Sequence, residues 1–181
     1  MDGIERTNTM KSLLQQRILV VDGAMGTSIQ AYDLGPEDFG GGEYEGCNEY
    51  LIITRPDLIS EIHQSYLDAG ADIIETNTFG STSVVLTEYN LAHEARRLNL
   101  LSAQLARKLA DAASTPDKPR FVAGSMGPTT KTISVTGGVT FDELASSYHE
   151  QALGLIEGGV DLLLLETSQD TINVKAGLEG I

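Results

Sequence analysis

The sequence has 181 residues, of which 41% are hydrophobic and 21% charged, a composition typical of one globular domain with a sizeable core. Its net charge of −14 argues against nucleic acid or an anionic membrane as the main partner, because like charges repel. No apolar run approaches the roughly 20 residues of a membrane span, and the first residues lack the apolar stretch of a secretory signal. We therefore expect a cytoplasmic protein that binds neither nucleic acid nor a membrane.

Four short apolar stretches suggest the strands of a parallel sheet. They begin at about residues 18, 73, 121 and 162, and each leads into a polar or glycine-containing segment. Short runs that are almost continuously apolar suit strands buried on both faces. The helices predicted between and after them are Pro56 to Ala69, roughly His93 to Ala113, Thr140 to Gly158, and a helix from near Asp170 to the chain end. This alternation predicts an α/β fold.

The number of these βα units indicates how much of a fold is present. Four units fill the chain, whereas a closed (β/α)8 barrel needs eight and typically about 250 residues. We predict a TIM-barrel-type α/β fold in which residues 1–181 form the N-terminal half, with the first four or so βα units. A smaller open sheet is the alternative, but unpaired edge strands would promote aggregation, so a piece of a longer polypeptide is favoured. The similar junctions at 69–74 and 158–163 fit a repeated βα architecture.

Candidate ligand-binding residues follow the predicted strands, because ligands of α/β proteins bind at the carboxyl ends of strands. Asp22, Asn77 and Glu166 would meet at one mouth. The small residues Gly23 and Ala24 leave backbone amides accessible to a carboxylate, and carboxylates nearby can hold an ammonium group. The sequence therefore predicts a site for the zwitterionic head of an amino acid.

Structural roles are the alternative for each of these residues. Asp22 could cap the turn after its strand, and Asn77 and Thr78 could be ordinary hydrogen-bonding residues at a strand end. Glu166 follows four leucines, and because burying an unpaired carboxylate is costly, a partner or ligand is favoured. The three histidines fall in predicted helices and suggest packing or solvated roles. Cys47, the single cysteine, is predicted to be a free structural thiol in a solvated acidic loop between residues 37 and 49.

Four ordered motifs resemble the homocysteine S-methyltransferase family. They are Val20–Thr27, Asp72–Phe79, Val122–Thr129 and Asp161–Thr167. The resemblance covers about residues 12 to 181. Within the family, the insertion from 31 to 50 and the segment 118–120 look most like the cobalamin-dependent methionine synthases and less like the betaine-dependent relatives.

This resemblance implies a role for each matching position. The carboxylates of Asp22 and Glu166 would bind the amino group of homocysteine, and the amides after Asp22 would face its carboxylate. The segment 127–129 would form a neighbouring loop of the mouth. The complete set of expected substrate-binding residues is Asp22, Gly23, Ala24, Asn77, Thr78 and Glu166.

The resemblance also implies cofactors that this chain does not hold. In the family, three cysteines from later strands hold zinc, which keeps the homocysteine thiol as a thiolate. That thiolate takes a methyl group from methylcobalamin, carried by another module and recharged from methyltetrahydrofolate. Cys47 lies too early to match any of the three cysteines. We therefore expect the zinc ligands and the folate and cobalamin modules to lie outside this chain, assign no catalytic or metal-binding residue within it, and expect it to be inactive alone.

Three other functions remain open at this stage. One is a cobalamin-independent homocysteine methyltransferase that uses betaine or S-methylmethionine. Another is a non-catalytic amino-acid-binding module that completes its sheet by self-association. The third, an aldolase-like barrel, would require a lysine at a strand end, and Lys131 and Lys175 are displaced from those ends.

Overall fold

The structure, a computed structural model, describes residues 3–133, 135 and 137–181. Its sheet has the parallel strands β1 (Ile73–Glu75), β2 (Phe121–Met126) and β3 (Leu162–Leu165), in the order β1-β2-β3. Three of the predicted strands are thereby confirmed. None of the helices in the described part of the chain has both the length and the apolar character needed to cross a bilayer.

The predicted helices are also found, with additions. The α-helices are α1 (Gly3–Leu14), α2 (Met25–Gln30), α3 (Leu51–Thr54), α4 (Pro56–Ala69), α5 (Ser83–Leu86), α6 (Ala95–Ala113), α7 (Phe141–Gly158) and α8 (Thr171–Gly180). Short 3-10 turns cover Asn48–Tyr50, Thr87–Tyr89 and Ala92–Glu94. The sequence pattern did not predict α1, because this helix is mostly polar and buries only Met10. The short helices α2, α3 and α5 likewise fall in segments without a helical apolar period.

The expected first strand, near residue 18, is mostly wrong. Val21 forms only an isolated parallel bridge with Ile73, and the carbonyl oxygen of Val20 accepts hydrogen bonds from the backbone N–H groups of Asp72 (2.8 Å) and Ile73 (3.1 Å). This segment lies at the edge of the described sheet, where Ile18 is 86% exposed and gains little from a longer ladder. The segment nevertheless runs alongside β1 in the predicted direction.

Local signals explain where the main helices begin and end. Pro56 occupies the first turn of α4, and Gly70 ends that helix with a φ of 107°, which a side chain would strain. At the start of α7, the Thr140 hydroxyl accepts a hydrogen bond from the Glu143 N–H at 3.3 Å, while a Glu143 carboxylate oxygen accepts from the Thr140 N–H at 2.7 Å. These two reciprocal bonds form a capping box, which begins α7 where the sequence predicted a helix.

The sheet separates two apolar layers. On one face, Ile74 and Val122 pack with α4 and α6 through Leu67 and Ala106, and β3 packs against α7. On the other face, the strand residues Ile73, Phe121 and Ala123 pack with Met10 of α1. Alternation along the strands therefore sends every second side chain away from α4, α6 and α7.

The two similar junctions seen in the sequence have the same structure. At the start of β1, Asp72 accepts a hydrogen bond from the Val20 N–H at 2.9 Å and pairs with Arg17 at 2.7 Å, which lowers the pKa of Asp72. At the start of β3, Asp161 accepts from the Val122 N–H at 2.9 Å and pairs with Arg107 at 2.6 Å. Both aspartates tie adjacent strands together at the amino ends, far from the carboxyl ends where ligands bind.

The acidic loop is less solvated than predicted. Glu37, Glu43 and Glu45 are exposed, but Phe39 and Cys47 are buried in the apolar clusters around α3 and α4. An acidic composition did not reveal these apolar anchors. Cys47 is a free thiol as predicted, and burial raises its pKa to about 12.

Candidate substrate-binding site

A cavity of about 510 Å³ lies at the carboxyl ends of the strands. It is lined by Asp22, Gly23, Ala24, Met25, Gly26, Thr27, Asn48, Glu49, Glu75, Thr76, Asn77, Thr78, Phe79, Ser125 and Glu166. All six substrate-binding residues predicted from the sequence are therefore brought to one cavity. Among the described residues that line it, four are acidic and none is Lys, Arg or His. Such a lining favours a ligand with a positively charged group.

Asp22 has the structural role that the sequence suggested as an alternative, and it also lies at the cavity. Its Oδ1 atom accepts a hydrogen bond from the Glu75 N–H at 2.9 Å, and its own N–H donates to the Ile73 carbonyl at 2.9 Å, so the residue fastens the segment after Val21 to β1. Its carboxylate also lines the cavity. Burial raises the pKa of Asp22 to about 7, although the hydrogen bond from Glu75 opposes this shift.

Glu75 is a cavity residue that the sequence analysis did not select. It ends β1 and lines the same cavity as Glu166. Burial and then the negative charge of Glu166 raise the pKa of Glu75 to about 7. A signal was present, since Glu75 follows two isoleucines much as Glu166 follows four leucines. Both carboxylates are thereby carried to the cavity at the ends of strands, although the leucines of β3 are only partly buried, not fully buried as the sequence predicted.

Glu166 has partners, as its position after four leucines suggested. The Ser125 hydroxyl donates to Oε1 at 2.5 Å, and the Thr167 hydroxyl donates to Oε2 at 3.2 Å. Thr167 has a φ of 52°, in the left-handed region that side chains rarely adopt. The turn after β3 therefore holds a strained residue next to the carboxylate that it orients.

A closed set of hydrogen bonds joins the ends of β1 and β2. The Ser125 N–H donates to the Thr76 hydroxyl at 3.0 Å, the Thr76 and Thr78 hydroxyls are 2.6 Å apart, and the Thr78 hydroxyl donates to the Ser125 carbonyl at 2.7 Å. Because the Thr78 proton is used on that carbonyl, Thr76 must be the donor to Thr78. The Thr78 hydroxyl thus fixes Ser125, which supports its interpretation as a strand-end hydrogen-bonder.

The insertion between residues 31 and 50 supplies one wall of the cavity. Asn77 donates from Nδ2 to the Asn48 carbonyl at 2.7 Å, and Glu49 accepts from the Gly80 N–H at 2.7 Å. Burial raises the pKa of Glu49. Sequence reasoning missed Asn48 and Glu49 because nothing in an acidic loop indicates which glutamate turns inward.

The glycine after Asp22 lies close to a helix. A Cβ atom placed on Gly23 would lie 3.2 Å from the Tyr66 hydroxyl of α4, which is itself 3.2 Å from the Ser28 hydroxyl. Gly23 and Ala24 line the cavity just before α2 begins at Met25. Small residues here let the backbone reach the cavity.

The segment 127–129 adjoins the cavity without lining it. Gly127 donates to the Phe79 carbonyl at 3.0 Å and accepts from the Tyr148 hydroxyl at 2.9 Å, and the Thr129 hydroxyl accepts from Asn173 at 2.6 Å. The residues of this segment support their neighbours through these contacts.

The donor set of the described residues does not fit a metal. Across 3–133, 135 and 137–181, no three or more His, Cys, Asp and Glu side chains are grouped to hold an ion. Cys47 is buried, and its raised pKa keeps its thiol protonated at neutral pH. The residues that the structure describes therefore offer no set of ligands that fits zinc.

Fold and site together define an α/β domain with a small parallel sheet and an acidic cavity at the carboxyl ends of its strands. The family model for homocysteine S-methyltransferase matches residues 19–181, and the chain belongs to that family. It is similar to the homocysteine methyltransferase MmuM from Escherichia coli in its metallated form, with 25% identity and a TM-score of 0.74 over 92% of this chain and 60% of that chain.

A second structure of the same E. coli protein gives a similar comparison. Its oxidized form is 26% identical, with a TM-score of 0.73 over 92% of this chain and 59% of that one. This chain therefore spans about 60% of the length of the proteins that it matches.

Proposed function

We propose that this chain forms the amino-acid-binding part of an enzyme that methylates the sulfur of homocysteine to form methionine. The observation that carries the proposal is the meeting of Asp22, Glu75 and Glu166 around one cavity without a basic lining residue. Such a cavity selects a ligand with an ammonium group, which can donate several charge-assisted hydrogen bonds. Membership in the homocysteine S-methyltransferase family supports homocysteine as that ligand.

The other end of the amino-acid head would face the segment after Asp22. Gly23 and Ala24 line the cavity, and backbone N–H groups beside small residues can approach a ligand carboxylate. Asn77 and Thr78 line the same cavity. The cavity volume of about 510 Å³ is in the range of small-molecule sites, so room remains for the side chain of an amino acid.

For the methyl donor, we propose methylcobalamin recharged by 5-methyltetrahydrofolate, as in cobalamin-dependent methionine synthase. The support is the insertion from 31 to 50, which resembles that branch and forms a wall of the cavity through Asn48 and Glu49. The modules that carry folate and cobalamin would lie outside this chain. The similarity to MmuM supports a second candidate, a cobalamin-independent homocysteine methyltransferase that uses S-methylmethionine or betaine.

Zinc, if the enzyme uses it, would be held by residues outside this chain, because the donor set here does not fit it. We therefore expect this chain to bind the amino-acid head and to lack methyl-transfer activity by itself. A cytoplasmic location is part of the same proposal.

Calorimetric titration of the chain tests the binding proposal. We expect L-homocysteine to bind, N-acetyl-homocysteine to fail because its amine is no longer cationic, and Asp22→Asn to weaken binding at least tenfold, about 1.4 kcal/mol. Asp33→Asn is the matched control on an exposed aspartate. Equal binding of homocysteine and its N-acetyl derivative would refute the ammonium site.

The two candidate donors are separated by an assay of the full-length polypeptide that contains this chain. Methyl transfer to homocysteine from methylcobalamin, but not from S-methylmethionine or betaine, is the result expected from the proposal. The reverse pattern would establish the second candidate.

A further inference from the structure

The acidic cavity has an apolar part, which is formed by two large side chains. Met25 at the start of α2 and Phe79 in the loop after β1 line it, whereas the other described lining residues are acidic, polar or small. The Phe79 side chain is 42% exposed. A ligand that covers this ring would remove apolar surface from water, which favours binding in proportion to the area covered.

The position of Phe79 depends on Gly127, the residue after β2. The Gly127 N–H donates to the Phe79 carbonyl at 3.0 Å. A Cβ atom placed on Gly127 would lie 2.7 Å from the ring atom Cε2, 2.8 Å from Cδ1 and 2.7 Å from the carbonyl oxygen of Phe79. Side chains do not pack at such distances, so only glycine lets both the ring and the backbone of Phe79 lie against this residue.

Gly127 is also fixed on its other side. Its carbonyl accepts a hydrogen bond from the Tyr148 hydroxyl at 2.9 Å, and Tyr148 is fully buried in α7, where it packs with Met126. The buried contact between β2 and α7 therefore determines where the Phe79 ring lies. A ring that is already in place loses little conformational entropy when a ligand binds against it.

Resting on the amino-acid site proposed above, we propose that Phe79, together with Met25, selects the side chain of the bound amino acid, and that Gly127 is the positioning residue for Phe79. The cavity carboxylates hold the ammonium group, and the two apolar side chains favour an apolar, sulfur-containing side chain over a polar one of similar length. Sulfur and methylene groups make favourable contacts with an aromatic ring, whereas an amide placed there loses hydrogen bonds to water.

The selection can be measured as a ratio of two dissociation constants. L-Methionine and L-glutamine have the same head group and uncharged side chains of similar length, so calorimetric titration with each of them compares the side chains alone. We expect the Kd for glutamine to exceed that for methionine by on the order of 30-fold in the parent, and by about threefold or less in Phe79→Ala. Phe79→Leu, which keeps an apolar side chain, should retain part of the preference. Phe141→Ala, at an exposed phenylalanine that begins α7, should match the parent.

Gly127→Ala tests the positioning role. Its Cβ atom must displace the ring or the backbone of Phe79, so the preference for methionine should fall as it does in Phe79→Ala. In the Phe79→Ala background, the same change should leave the ratio unaltered, because the ring is already absent. A merely structural role would weaken both ligands equally and preserve the ratio, which would overturn the role of Gly127. The matched control is Gly3→Ala, at an exposed glycine in α1 where a Cβ atom would meet only Arg6, at 3.8 Å.

Failure of this inference is distinguishable from failure of the proposed function. If the parent binds methionine and glutamine equally, or if Phe79→Ala keeps the ratio of the parent, the role of Phe79 is overturned and the amino-acid site remains. If the folded parent binds neither methionine nor homocysteine, both the selection by Phe79 and the proposed amino-acid site are overturned.

Discussion

The Ser125 hydroxyl donates a 2.5 Å hydrogen bond to the Glu166 carboxylate from the neighbouring strand. Ser125 is itself fixed by Thr76 and Thr78, which engage its backbone N–H and carbonyl. The orientation of Glu166 toward the cavity is therefore set by β2 and by the loop after β1. Ser125, which is not among the predicted substrate-binding residues, thus orients Glu166, which is.

Replacing Ser125 should weaken substrate binding more than it weakens the fold. Ser125→Ala removes a hydrogen bond to a charged acceptor, worth about 1.5–3 kcal/mol, but leaves the backbone bonds of the ring. We expect homocysteine affinity to fall about tenfold or more in calorimetry, while urea unfolding shows a loss of about 1 kcal/mol. Ser146→Ala, at an exposed serine in α7, is the control. Unchanged affinity would show that Glu166 does not depend on Ser125.

The cavity carboxylates should make the protein less stable as the pH rises. The pKa values of Asp22 and Glu75 are raised to about 7, above the ordinary values near 4, so the folded state binds more protons than the unfolded state between about pH 4 and 7. The contribution of these groups to the free energy of unfolding is therefore largest below about pH 4 and decreases as the pH rises to about 7.

Asp22→Asn removes one of these groups and provides the measurement. We compare the free energy of unfolding of the variant with that of the parent at two pH values. The difference between variant and parent should be more favourable to the variant at about pH 8 than at about pH 5, by on the order of 1 kcal/mol after allowance for solvent at the open cavity. Asp33→Asn, on an exposed aspartate, should show no such difference between the two pH values. A loss of stability that is equal at both pH values would instead mean that the hydrogen bond to the Glu75 N–H dominates.

Sequence reasoning was most successful where one residue type has one physical meaning. Pro56, Gly70 and the Thr140 capping box set helix ends, and Glu166 lies at the cavity after its predicted strand. It failed where the outcome depends on contacts between distant segments. The polar helix α1 buries only one residue, and the inward turn of Glu49 depends on the Gly80 N–H, which lies 31 positions away. Neither the helix α1 nor the inward turn of Glu49 produces a periodic pattern of apolar residues in the sequence.

Gln151 of α7 does not line the cavity, but we expect it to maintain the geometry of two residues that do, Thr78 and Ser125. Its Nε2 atom donates to the Thr78 carbonyl at 2.8 Å and to the Ser125 carbonyl at 3.4 Å, and the side chain is fully buried. Gln151→Leu leaves buried carbonyls without this donor, which should cost about 1–3 kcal/mol of unfolding free energy and lower homocysteine affinity. Gln104→Leu, at an exposed position in α6, should change neither property. A stable variant with normal affinity would show that the loop after β1 keeps its conformation without the hydrogen bonds from Gln151.

The buried carboxylate at the opposite end of the sheet should affect stability alone. Asp161 has a fully buried side chain that pairs with Arg6 and Arg107, both at 2.6 Å, and accepts the Val122 N–H. Removing the charge leaves the guanidinium groups poorly compensated, so Asp161→Asn should lower the free energy of unfolding by about 3 kcal/mol or more in urea titrations. Because ligands bind at the carboxyl ends of the strands and Asp161 precedes β3, the folded fraction should bind homocysteine with unchanged affinity. Asp117→Asn, on an exposed loop, is the matched control, and a fall in the affinity of folded Asp161→Asn would mean that the two ends of the sheet are coupled.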